Sequence, residues 1–133
     1  MKYMLLMQFS TRTADFPEIS TWTPEEIRAH IAFMGEVNGK IQESGEFVDA
    51  QGLAGADTAK IVRAGDGGEP LVTEGPFAES KEFLAGWWIV DVENAERAVE
   101  LAALISTAPG PGGKPLNMSI EARQIMSAPP ADF

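Results

Sequence analysis

Two periods of apolar residues run through the chain, and each predicts its own elements. Lys2 to Gln8 is a short apolar run with Tyr3, Leu5 and Met7 facing one way and Met4 and Leu6 the other, so this strand needs cover on both faces. A loop follows from Ser10 to Trp22. Thr23-Pro24-Glu25-Glu26 then supplies a full helix start: threonine as cap, proline at the first helical position, and a glutamate that closes a capping box. The helix runs to Ser44 and stops at Gly45. At helical spacing Ile27, Ile31, Met34, Val37 and Ile41 form one stripe, with Arg28, Glu36, Lys40 and Glu43 off it. Glu46 to Ala50 and Ala59 to Ala64 read as strands, the second ending in the turn Gly65-Asp66-Gly67-Gly68, and Pro70 to Thr73 as a short edge strand. Gly86 to Val92 carries bulky residues on both faces and reads as a central strand. Asn94 caps a second helix to Ser106 with the stripe Ala95, Ala98, Val99, Ala102 and Ile105, and Pro109-Gly110-Pro111-Gly112-Gly113 ends it. Met118 to Met126 is a last strand, with Met118, Ile120 and Ala122 on one face and Ser119, Glu121 and Arg123 on the other. Residues 127–133 read as a loose C-terminal arm.

The order β-α-β-β-α-β, with an extra hairpin before the fourth main strand, predicts a ferredoxin-like α+β domain over residues 1–126 with an antiparallel sheet. Two helices cover only one face of such a sheet. The first and central strands are apolar on both faces, so the second face needs a partner, and a second copy of the chain supplies the simplest one. Two sheets packed face to face make a dimeric α+β barrel with a cleft in each subunit.

A chain of 133 residues that is 44% hydrophobic and 23% charged can bury one core, which fits a single domain. The absence of cysteine excludes disulfides, a thiolate nucleophile and cysteine-rich zinc sites, in keeping with a cytoplasmic protein. A net charge of −10 with scattered Lys and Arg repels phosphate backbones and argues against direct nucleic-acid binding. The apolar start, Met1 to Phe9, is too short for a signal segment or a bilayer span, so no membrane role is expected. No metal-spaced cluster, nucleophile elbow, phosphate loop or dinucleotide fingerprint occurs, and neither a metal nor a cofactor is predicted.

The run Glu74-Gly75-Pro76-Phe77-Ala78-Glu79-Ser80-Lys81-Glu82, followed by Leu84-Ala85-Gly86-Trp87-Trp88-Ile89-Val90-Asp91-Val92, resembles the signature of YCII-related proteins with the DGPF motif. There the pattern is Asp-Gly-Pro-Phe-Ala-Glu-Thr-Lys-Glu, then a glycine and a strand. Glu74 stands in place of the Asp and Ser80 in place of the Thr, both keeping the chemistry. The resemblance extends over the opening strand, the helix with His30, Gly45 to Leu53, the Asp66-Gly67 turn and Ile120-Glu121-Ala122-Arg123. It implies a dimeric α+β barrel, a fold shared with small lactone isomerases and metal-free monooxygenases. It also implies an association with extracytoplasmic-function sigma factors, and a His and an Asp that share a cleft, at His30 and Asp49. It implies no particular reaction.

His30 is the only histidine, and the wheel places it on the apolar stripe between Val37 and Met34, pointing toward the sheet. A carboxylate such as Asp49 would fix its tautomer and make it a general base or acid; the alternative is a structural histidine hydrogen-bonded beside the core. In the motif, Gly75-Pro76 makes a rigid turn, Phe77 offers an apolar wall, and Glu79 and Lys81 offer polar contacts. A structural crossover accounts for the same residues. Trp87 and Trp88 point to opposite faces, and Trp88 is expected to pack in the core or line a cleft. Glu121 and Arg123 share a strand face, where Arg123 either meets a ligand or forms a salt bridge. Together these residues predict a small-molecule pocket lined by Phe77, Glu79, Lys81, Trp88 and Arg123, with proton transfer or hydrolysis by His30 oriented by Asp49. The rival is a non-catalytic protein that binds a sigma factor through its acidic surface.

Overall fold

Thr23 starts α1 (Pro24–Glu43) as the sequence requires: its hydroxyl accepts from the Glu26 amide at 3.2 Å, and its own N–H donates to Glu26 Oε1 at 2.9 Å. Gly45, at φ +79°, ends the helix in a conformation that favours glycine. The computed structural model describes residues 1–10, 19–75 and 82–126. Its other elements are β1 (Lys2–Ser10), β2 (Phe47–Gly52), β3 (Lys60–Ala64), β4 (Pro70–Glu74), β5 (Glu82–Asp91), α2 (Ala95–Ser106) and β6 (Ile120–Gln124).

Four strands form one antiparallel sheet in the order β2-β5-β1-β6, with β5 and β1 central. With α1 after β1 and α2 after β5, this is the ferredoxin-like α+β arrangement. The hairpin β3-β4 is an insertion between β2 and β5. It makes a two-stranded sheet of its own, in register from Lys60 opposite Glu74 to Ala64 opposite Pro70, so β4 is an edge strand of that hairpin and not of the main sheet. Among the described residues no helix is long and apolar enough to cross a membrane.

Both helices lie on one face of the sheet. There Tyr3, Leu5, Trp88, Val90 and Val92 meet Val37 and Ile41 of α1 and Ala98, Leu101, Ala102 and Ile105 of α2. Fully burying a Leu- or Ile-sized side chain of this kind contributes about 1.5–3 kcal/mol. The helical stripes differ in part from those expected. Ile31 is 62% and Val99 61% exposed, and Leu101 takes the place assigned to Val99. Ala98 and Ala102 fix the centre of the α2 face, and either flank could complete it; the side with the larger Leu101 is the one that turns inward. The opposite sheet face carries Leu6 between Trp87 and Glu121, and Met4 between Ile89 and Arg123, with no helix over it. Apolar residues therefore do line both faces.

One ion pair joins the start of β2 to α2. Glu46 accepts from Arg97 Nε at 2.9 Å and Nη2 at 2.9 Å, and from the Ser44 hydroxyl at 2.7 Å, while Arg97 Nη1 donates to Glu100 at 3.0 Å. The Arg97 guanidinium, with help from Ser44, holds the Glu46 carboxyl below its ordinary 4.5. A carboxylate lowered in the folded state stabilises fully above that ordinary value and loses its contribution as pH falls through the lower native one. Because the Arg97 side chain is 38% exposed, solvent screening limits the effect to about 1 kcal/mol. Glu46→Gln should therefore be about 1 kcal/mol less stable than the unaltered chain at pH 7 in urea unfolding, with the gap closing below pH 4.5. A gap of equal size at pH 7 and pH 3 would refute this role.

Candidate functional site

The site begins with a spacing. His30, Met34 and Asn38 recur every four residues of α1 and so share one face, which looks onto β2 and β5. Opposite them the strands are built from small residues: Ala50 and Gly52 on β2, and Gly86 on β5. The space left is a cavity of about 240 Å³, bounded also by Met7, Gln51, Trp87 and Trp88. Gly86 is needed there, because a Cβ would stand 3.0 Å from the Gln51 carbonyl oxygen and 3.4 Å from Met7 Cε. Trp88 closes one end. Its indole N–H donates to Asn38 Oδ1 at 2.8 Å, which satisfies a side chain only 5% exposed and leaves the Asn38 amide NH₂ as a donor group.

His30 is fixed from outside the cavity. Its Nδ1 lies 3.0 Å from the Pro109 carbonyl, an acceptor, so Nδ1 carries the proton and Nε2 of the neutral ring keeps a lone pair. The Trp22 ring meets it edge-on at 5.5 Å and 77°. Pro109 sits in a loop closed on itself: Gly110 N–H donates to Lys114 O at 2.8 Å and Leu116 N–H to Ala108 O at 2.9 Å. His30 is the one ionisable side chain among the described residues that line the cavity.

The model of the YCII-related domain family matches residues 1–110. The chain belongs to that family. An uncharacterized protein of Rhizobium meliloti is similar, at 29% identity over 114 residues, covering 86% of this chain and 87% of its own length. The YCII-related match takes in every cavity residue and Pro109, and stops before β6.

Of the described candidate site residues, His30 and Trp88 line the cavity, and Asp49 and Arg123 do not. Asp49 pairs opposite Ile89, and Ala50, the next residue, opposite Trp88. Asp49 thus shares the uncovered face with Ile89 while Ala50 faces the cavity. The cause is a bulge: the register shifts between Phe47 and Asp49, which moves Asp49 to the face opposite the one plain alternation would give it. Asp49 Oδ1 accepts from the Ala50 amide at 2.8 Å and lies 3.5 Å from Gln51 Nε2, and among the described residues no hydrogen bond joins it to His30. Arg123 is on the uncovered face, paired with the Glu121 carboxylate. Phe77, Glu79 and Lys81 lie outside the described residues. The described start of their motif is anchored on the hairpin: Lys60 Nζ binds Glu74 at 3.1 Å, and Gly75 N–H donates to Ala59 O at 2.7 Å.

Asn38, Gly86 and Pro109 were not legible as site residues. Asn38 carried a weak signal, a polar residue eight positions after His30 on the same helical face. Gly86 carried another, a glycine inside a central strand. Among the described residues no group of three or more His, Cys, Asp or Glu side chains is gathered as a metal site would need.

Proposed function

We propose that this YCII-related protein binds a small organic molecule in the cavity between α1, β2 and β5 and moves a proton on it, with His30 Nε2 as the base. The observation that carries the reading is the Nδ1 contact to the Pro109 carbonyl, which leaves a basic nitrogen as the one titratable group in an otherwise uncharged lining. Met7, Met34 and Trp88 suit a carbon skeleton, and the Asn38 amide suits an oxygen on it. His30 takes a proton from a C–H or O–H of the ligand and, as imidazolium, returns it to the neighbouring position. Asp49 acts at one remove, by fixing the Ala50 amide in the cavity wall. A positioned base of this kind contributes about 10²–10⁴ in rate.

The test uses a panel of small carbonyl compounds, read first by thermal shift and then by deuterium uptake from D₂O into any compound that raises Tm. His30→Asn keeps an N–H for Pro109 but has no counterpart of Nε2. It should bind the same compound with a similar thermal shift and exchange its proton about 100-fold more slowly or worse. Unchanged exchange in His30→Asn, or no compound that stabilises the unaltered chain, would defeat the proposal.

The same reading extends to the uncovered face, where we propose a second copy of the chain. Met4, Leu6, Trp87 and Ile89 make that face apolar, and burying it against an equivalent sheet contributes about 25 cal/mol per Å². In sedimentation equilibrium the chain should have twice the 14.3 kDa mass of one copy, and Leu6→Asp should shift it toward one. A single-copy mass for the unaltered chain at micromolar concentration would exclude the dimer.

A further inference from the structure

Glu26 precedes His30 by four residues, so the two side chains stand one above the other on α1. Glu26 divides its carboxylate between two duties. Oε1 accepts from Thr23 N–H at 2.9 Å and completes the helix cap; Oε2 accepts from Gly112 N–H at 2.6 Å, across 86 residues of sequence. Gly112 belongs to the same closed loop whose Pro109 carbonyl receives His30 Nδ1, and it lies at φ +69°, a conformation that favours glycine. The helix therefore grips this loop at two points one turn apart. Trp22 fills the space beneath, edge-on to His30 and 3.5 Å from where a Cβ of Gly110 would stand.

A cap needs only one carboxylate oxygen and no loop 86 residues away. We propose that Glu26 is a positioning residue for His30: by holding Gly112 it keeps the Pro109 carbonyl where it selects the Nδ1–H tautomer, and so leaves Nε2 free toward the cavity. The inference rests on the reading of His30 as the cavity's base, but its test needs no ligand. The two backbone N–H groups also hold the Glu26 carboxyl below its ordinary value, which keeps it ionised as an acceptor for both.

Glu26→Gln separates the two duties. Glutamine serves at this position of a capping box, yet its single carbonyl oxygen cannot accept from both amides with equal geometry, and its NH₂ then faces the Gly112 donor. Thr23→Ala does the reverse, removing the threonine cap while leaving the Gly112 contact. Since His30 is the only histidine, a long-range ¹⁵N spectrum of the imidazole reports one tautomer ratio for each full-length variant. The unaltered chain should be mainly Nδ1–H, with that share several-fold lower relative to Nε2–H in Glu26→Gln at nearly unchanged Tm. Thr23→Ala should show a lower Tm with the unaltered ratio. An Nδ1–H ring in both the unaltered chain and Glu26→Gln, or an equal change in Thr23→Ala, would overturn the role of Glu26 alone. An Nε2–H ring in the unaltered chain would overturn the reading of His30 as well.

Discussion

The indole of Trp88 sets the distance between α1 and the sheet, and the cavity follows from that spacing. Its N–H donates to Asn38, so helix and central strand are fixed to each other by a half-buried hydrogen bond. On one side of that bond Val37 and Ile41 close over the core. On the other, Gly86, Ala50 and Gly52 are too small to reach the helix, and the void they leave is where His30 and Met34 look in. The space is an open cleft, formed where a large residue stands two positions from a glycine on one strand.

The ends of the helices are tied down by ionised side chains. Glu46 holds α2 through Arg97, and Glu26 holds the 108–116 loop against the start of α1; both carboxyls are lowered by the donors they meet. Each of these two glutamates meets donors from two different residues: Arg97 and Ser44 at Glu46, Thr23 and Gly112 at Glu26. The hairpin β3-β4 stands apart from this framework, with Val62 directly opposite Val72 and both more than half exposed.

Local chemistry made most of the fold legible. The Thr23 cap, the Gly45 stop, the Asn94 cap and the alternation in β1 and β5 are each written within a few residues, and each matches its element. The candidate site was only half legible, because its decisive contacts are not local. Trp88 and Asn38 are 50 residues apart, and His30 and Pro109 are 79 apart, so the Pro/Gly run after α2 reads as a mere helix stop until the chain is folded. Asp49 shows the other limit. A strict two-residue period places it on the face with Phe47, and one bulged residue at Val48 reverses that, a change that no side chain in the segment announces.

We propose that ligands enter where α1 stands off β2 and β5, and the methionines report on this directly. Met7 and Met34 line the cavity, Met4 lies on the uncovered sheet face, and Met126 is 88% exposed. With the six methionine methyls ¹³C-labelled, titration with phenol as a small aromatic probe should move the Met7 and Met34 resonances saturably and leave Met4 and Met126 in place. Saturable shifts at Met4 or Met126 with Met34 unmoved would contradict the account.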